Sequence, residues 1–403
     1  MRLAYGAIQR RATLDFLIER LTDRPIKRLD PTLAAALRIG IYQVAYLDGV
    51  PEHAAVNETV ELAKRRRRPG HQLVNAVMRR ATREARAIVD SLGEATPAEA
   101  ALRHSHPKWI AELWWHELGS EDARALMRQN NEPPESAVRA NTLRVTPAEL
   151  ASSLAADGAR SRRDPAIAEA LVLMSPYDVH GSRPFQRGAL MPQSRASMLV
   201  ARALDPQPGE QVLDLCAAPG AKATHIAALM RDQGRVVAID IQAGRARTIE
   251  NNSLRLGAQC VEVRTGDARE SEHGGEFDRV LVDPPCSDLG TLQSRPDVRW
   301  RKRPAQVAGL AALQREILDA AAVSVRPGGR LVYSTCTVSA AENERQIEDF
   351  LGRHETFSPV DLSGTYSQEP ATGPSNRGRF LRTLPHRHGT DGFFIAALER
   401  HRR

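Results

Sequence analysis

The chain has 403 residues, a formal net charge of +7, 42% hydrophobic residues and 26% charged residues. That length exceeds what one core usually supports, so two or three domains are expected, and the composition excludes a chain disordered throughout. The arginine-rich basic balance suits a polyanionic partner, because guanidinium forks match phosphate oxygens.

The four cysteines, Cys216, Cys260, Cys286 and Cys336, lie in the second half and none forms a CxxC pair. Neither a disulfide scaffold nor a metal site is expected; reduced thiols in a cytosol are. The opening run MRLAYGAIQRRATLDFLIERL breaks its apolar residues with Arg, Asp and Glu, the pattern of an amphipathic helix without a signal-peptide core. No apolar run reaches bilayer length, so a soluble, cytoplasmic protein with no membrane partner is expected. Nothing in the sequence sets an oligomeric state.

Residues 1–92 read as a small all-helical domain, with apolar positions at helical spacing in LDFLIERL, LAAALRIGIYQVAYL and LVNAVMRRA. Within it, KRRRRPG includes Arg65, Arg66 and Arg67, which suit either a solvated helix end or a nucleic-acid contact. Residues 93–135 are expected to hold a linker, over Ser91 to Pro107, and then a helix through WIAELWWHELG. Residues 136–195 read as a small α+β module that would bind RNA, with strands in SAVRANTL and ALVLM and a helix in PAELASSLAADG. The polar stretch from Ser363 to Arg379 reads as a surface loop.

Residues 196–403 read as one further domain. QVLDLC, RVVAIDI, CVEVRTGD, FDRVLVDPP and GRLVYSTCT are short apolar runs, several separated by helical stretches. That alternation predicts an α/β domain, a Rossmann-like parallel sheet wrapped by helices. Ligands of such sheets sit beyond the carboxyl ends of the strands, where Cys216, Asp240, Asp267, Asp283 and Cys336 fall.

The first strand enters the turn DLCAAPGAK. A dinucleotide fold would place GxGxxG here, so that backbone approaches a pyrophosphate. With only Gly220 and the neighbouring Pro219, the turn favours a ligand lacking a pyrophosphate, such as S-adenosyl-L-methionine. Asp240 is placed to accept from ribose hydroxyls and Asp267 from the adenine side; each acid alone could equally cap its own loop.

Cys286 in DPPCSDLGT and Cys336 in STCT emerge at neighbouring strand ends beside Asp283. Methylating a pyrimidine carbon requires that carbon to become nucleophilic. A thiolate added to C6 does this by making C5 enamine-like. Asp283 could hold the ring nitrogen or exocyclic amine, and the second thiol could assist release. Strand-end placement alone fits either cysteine as the attacking group.

DLCAAPGAK, GDAR, DPPCSDLGTLQSRPDVRW and STCT followed by AEN together resemble the Sun/RsmB group of RNA 5-cytosine methyltransferases. The runs IGIYQVAYLDGVPEHAAVNETVELAKRR and LVNAVMRR resemble the NusB-like RNA-binding domain fused to that group, here as if its first helices were absent. The resemblance implies Cys336 as nucleophile and Cys286 in product release. It implies a cofactor site of Cys216, Ala217, Ala218, Pro219, Gly220, Ala221, Lys222, Asp240, Asp267 and Asp283, with Ala221 where the group usually has a second glycine. It also implies 16S ribosomal RNA, bare or in a partly assembled small subunit, as substrate. A transfer RNA or another RNA is the alternative target, and a catalytically silent RNA-binding assembly factor the alternative role. RPDVRWRKRP then reads as an RNA footprint, with Arg299, Arg301 and Lys302 around Trp300, or as a helix start. The target base should be unpaired or flipped out.

Overall fold

The computed structural model describes residues 2–65, 70–270, 276–366 and 379–402. Two compact units share the chain: Met1–Pro133 with Arg295–Arg301, and Pro134–Ser294 with Lys302–Arg403. No helix among the described residues is long and apolar enough to cross a membrane.

The first unit is helical throughout: α1 (Arg2–Gln9), α2 (Arg11–Thr22), α3 (Pro31–Tyr46), α4 (Glu52–Arg65), α5 (His71–Asp90), α6 (Pro97–Arg103) and α7 (Lys108–Gln129). Asp30 caps α3 through its side chain, accepting from the Thr32 and Leu33 amides, with Pro31 in the first turn. Leu14, Leu17, Ile18, Leu37, Ile41, Val74 and Met78 close its core. The stretch expected as a linker holds α6 instead. Thr96 and Glu99 form a capping box around Pro97, which offsets the low helix propensity of the flanking residues. Helix α7 is broken at Gly119, whose φ of 83° is open to glycine.

In the second unit, β1 (Ala137–Ala140), β2 (Ser161–Arg163), β3 (Ala170–Leu173) and β4 (Leu190–Pro192) pair antiparallel in the order β2-β3-β1-β4. Helix Pro147–Ala156 packs on this sheet through Leu150 and Leu154. The two outer strands have three residues each, too short to show a period in sequence.

The large sheet follows. Strands β5 (Gln211–Leu215), β6 (Arg235–Asp240), β7 (Val261–Thr265), β8 (Phe277–Val282) and β9 (Val325–Thr335) are parallel, in the order β9-β8-β5-β6-β7. Beyond the strand–helix alternation, β10 (Phe357–Pro359), β11 (Leu381–Thr383) and β12 (Phe393–Arg400) extend the sheet, with β12 antiparallel to β9. Alternate residues of one strand enter opposite layers: Val212 joins the layer of helices Arg195–Leu204 and Ala221–Leu229, and Leu213 that of helices Pro304–Ser324 and Glu344–Arg353. Burial on both faces explains the unbroken apolar runs. The chain leaves β5 toward β6 and β7, then returns to β8 on the other side. The crevice at that reversal is where open α/β sheets bind ligands.

Candidate active site

The turn after β5 is tightly built. Cys216 has a φ of 64°, and Gly220, at 93°, lets the chain enter helix Ala221–Leu229. A Cβ on Gly220 would lie 3.0 Å from Ile249 Cγ2 and 3.2 Å from its Cα, so only glycine fits without displacing the neighbouring helix. Ala221 is the first residue of the helix, where a Cβ costs nothing.

Lys222, in the first turn, reaches across to β8: its Nζ is 2.6 Å from Asp283 Oδ2, while Ser334 Oγ donates to Asp283 Oδ1 at 2.8 Å. Burial works against the Lys222 charge, but Asp283 and Asp214 prevail and hold its pKa above the usual lysine value. Beneath the turn, Asp214 of β5 is fully buried and neither carboxyl oxygen has a hydrogen-bond partner among the described residues. Burial pushes its pKa up to about 8; Lys222 pulls it back, and Asp283 and Asp240 push it further.

A pocket of about 180 Å³ opens beside this turn, lined by Asp240, Ile241, Asp267, Pro285, Leu313 and Ile317 among others. Asp240 is buried, accepts from the Gln242 amide at 3.1 Å and lies 3.4 Å from Arg245. Asp267 is gripped by the Arg269 side chain and amide, which lower its pKa. Cys216 also lines the pocket; burial and the nearby carboxylates push its thiol up to about 12. Two carboxylates set in apolar walls suit ribose hydroxyls and a flat adenine. S-adenosylmethionine carries both groups. The residues present therefore fit that cofactor.

Pro285 belongs both to the pocket wall and to the loop that carries the next residue, Cys286. The Cys286 and Cys336 sulfurs are 3.3 Å apart, Cys286 buried and Cys336 half-buried. The Cys336 thiol also donates to Asp288 Oδ1 at 3.3 Å. Its hydrogen bond with Cys286, burial, and the charges of Asp288 and Asp283 raise its pKa well above the usual thiol value. Lys302 Nζ donates to the Cys286 carbonyl at 3.0 Å and pairs with Asp288 Oδ2 at 3.1 Å.

Residues next to each cysteine fix the two loops together. The Ser287 and Thr337 hydroxyls are 2.6 Å apart, and Ser287 gives its amide (2.9 Å) and its hydroxyl to the buried Glu342. Gln314 donates to Glu342 at 3.0 Å and to the Pro285 carbonyl at 2.9 Å. Burial raises the Glu342 pKa while these donors oppose it. Asn343 accepts from Thr335 at 2.6 Å and donates to the Thr337 carbonyl at 3.0 Å. Gly290 donates its amide to the Cys336 carbonyl at 3.0 Å; a Cβ there would meet the Gly392 carbonyl oxygen at 2.0 Å, so backbone packs directly on backbone beside the thiol.

The expected RNA contacts fare differently. Arg299 is wholly buried in the helical unit, its guanidinium donating to the carbonyls of Gln9, Ser105 and Asn130 and to Asn131 Oδ1. A guanidinium so enclosed cannot neutralise phosphate, and that expectation is corrected. Trp300 likewise gives its indole N–H to the Ile8 carbonyl at 2.7 Å. Lys302 is engaged at the cysteine loop, and Arg301 is exposed and paired with Asp297. Arg66 and Arg67 lie outside the described residues; Arg65 ends α4. Cys260 is remote from the site constellation, and burial and Asp232 push its thiol up to about 12.

Ser334, Ser287 and Asp288 are site residues that spacing does not reveal. Glu342 and Asn343 sit in the AEN run that carries part of the resemblance, yet their role as a clamp is visible only in three dimensions.

Comparison with known proteins agrees with this architecture. Residues 201–399 match a family described as 16S rRNA methyltransferase RsmB/F, residues 1–83 the NusB family, and residues 106–180 an RsmF/B-like ferredoxin-like domain. The "Probable ribosomal RNA small subunit methyltransferase B" of Bacillus subtilis is 38% identical over 402 residues, covering 99% of this chain and 89% of that protein. The chain belongs to the RsmB/F family of 16S rRNA methyltransferases. A protein of the same printed name from Synechocystis is 39% identical over 99% of this chain and 90% of its own length. Among solved structures, that of PH0851 superposes with a TM-score of 0.85 at 30% identity, covering 99% of this chain and 89% of that one. NSun6 from Pyrococcus horikoshii, solved with SFG, a cofactor analogue, gives 0.67 at 26% identity over 74% of this chain and 99% of that one. This RsmB/F member is thus an RNA methyltransferase that uses S-adenosyl-L-methionine and acts on carbon 5 of cytosine. Its helical unit is of the NusB kind, and its large sheet is a Rossmann-like methyltransferase fold.

Proposed function

We propose that this enzyme methylates a cytosine of 16S ribosomal RNA, in a bare or partly assembled small subunit in the cytoplasm, with Cys336 as nucleophile, Asp283 as base-holding group and Cys286 assisting release. The observation that carries the reading is the pair of sulfurs 3.3 Å apart with the Lys222–Asp283 ion pair alongside. The Cys336 sulfur bonds to C6 and shifts the ring electrons toward C5. Asp283, paired with Lys222 and oriented by Ser334, holds the ring nitrogen or exocyclic amine of the flipped base while charge builds up during addition. S-adenosylmethionine, bound by the β5 turn with Asp240 and Asp267, supplies an electrophilic methyl group. Cys286 assists loss of the C5 proton as the S–C6 bond breaks, which restores aromaticity. The names of the relatives support 16S rRNA as target.

Bisulfite sequencing of ribosomal and transfer RNA, from cells with and without the gene, tests the target: one 16S cytosine should lose its protection, and loss confined to transfer RNA overturns the assignment. Cys336→Ala should abolish turnover. Cys286→Ala should leave the RNA covalently attached, seen as a shifted band on a denaturing gel.

A further inference from the structure

A nucleophilic thiol held well above its usual pKa needs somewhere to send its proton. Five polar or titratable groups face the Cys336 sulfur: Cys286, Asp283, Asp288, Lys222 and, behind Asp288, Lys302. Lys222 and Lys302 are donors. The two oxygens of Asp283 accept from Lys222 and from Ser334, neither of them from the Cys336 thiol. Asp288 differs. Its Oδ1 accepts from the Cys336 thiol at 3.3 Å, while Lys302 holds its Oδ2 at 3.1 Å and so points the other oxygen at the sulfur. The same lysine grips the Cys286 carbonyl, tying the orientation of the carboxylate to the loop bearing the second thiol. Asp288 also has a φ of 60°, a left-handed conformation that is strained for a residue with a Cβ and clusters at functional sites.

We propose that Asp288 is a further catalytic residue, the general base that takes the Cys336 proton as the sulfur bonds to C6. In that step the S–H bond breaks, the S–C6 bond forms, the proton passes to Asp288 Oδ1, and the C5–C6 electron pair moves onto C5. When the adduct collapses, the departing Cys336 thiolate recovers the proton from Asp288. This role rests on the proposed function, because it requires Cys336 to be the nucleophile.

The test uses the full chain and a 16S transcript carrying 5-fluorocytosine, whose C5 substituent cannot leave as a proton, so that the covalent complex accumulates. Its single-turnover formation is followed on denaturing gels between pH 6 and 9. Asp288→Asn, and Asp288→Gly, which suits the positive φ, should slow adduct formation by about 100-fold at pH 7. In both, the rate should rise about tenfold per pH unit as the thiol ionises unaided, while the native enzyme shows a flatter profile. Calorimetric affinity for S-adenosylmethionine should be unchanged, which reports an intact fold. Adduct formation by both variants at the native rate and with the native profile overturns the role. Cys336→Ala is run alongside: an adduct there overturns the nucleophile and this role together, whereas no adduct there with fully active Asp288 variants overturns this role alone.

Discussion

Asp214→Asn isolates the most costly group beneath the cofactor turn. The folded chain keeps the Asp214 proton up to about pH 8, while an unfolded chain releases it near 3.8, the ordinary aspartate value. Between those values the folded state binds the extra proton, so stability falls as pH rises and levels off above pH 8. Asparagine has the shape of the protonated acid and does not titrate. The variant should therefore gain on the native protein by about 1.4 kcal/mol per pH unit, or about 2.7 kcal/mol between pH 5.5 and 7.5. Taking the difference between the two proteins cancels groups that titrate in both. All four tryptophans, Trp109, Trp114, Trp115 and Trp300, lie in the helical unit, so fluorescence does not follow this region. Urea midpoints read by pulse-labelling hydrogen exchange of β5 and β6 peptides do. Parallel stability curves for the two proteins across that pH range would refute the buried, partnerless carboxylate.

Two further changes probe the frame around the site. Glu342→Ala removes the acceptor shared by Ser287 and Gln314; kcat should fall by about 100-fold while cofactor affinity holds, since misplacement of a reacting group by about 1 Å carries that cost. Unchanged kcat would mean that the thiol loops are fixed without it. Arg299→Met leaves several buried acceptors of the helical unit without their donor and should destabilise that unit by about 3 kcal/mol, followed by tryptophan fluorescence in urea. The salt dependence of RNA binding should not move; a shallower slope would restore Arg299 as a phosphate contact.

The sequence by itself determined the catalytic layer. Strands buried on both faces must be apolar along their length, so β5, β6, β8 and β9 stand out, and the residues that follow them fall at the binding edge of the sheet. The turn containing Gly220 was legible because a close helix leaves room for no other residue there. What only the tertiary structure decided are pairings across long stretches of chain. Cys286 and Cys336 are 50 residues apart, and nothing local specifies a 3.3 Å approach; it comes from adjacent parallel strands and the Glu342 clamp. A run of cations such as RPDVRWRKRP reports charge without direction. Packing turned Arg299 inward to satisfy helix-end and loop carbonyls, and Lys302 toward the cysteine loop. The clamp and the Asp288–Cys336 contact escape local reading for the same reason: hydrogen bonds between distant loops leave no period in the chain that makes them.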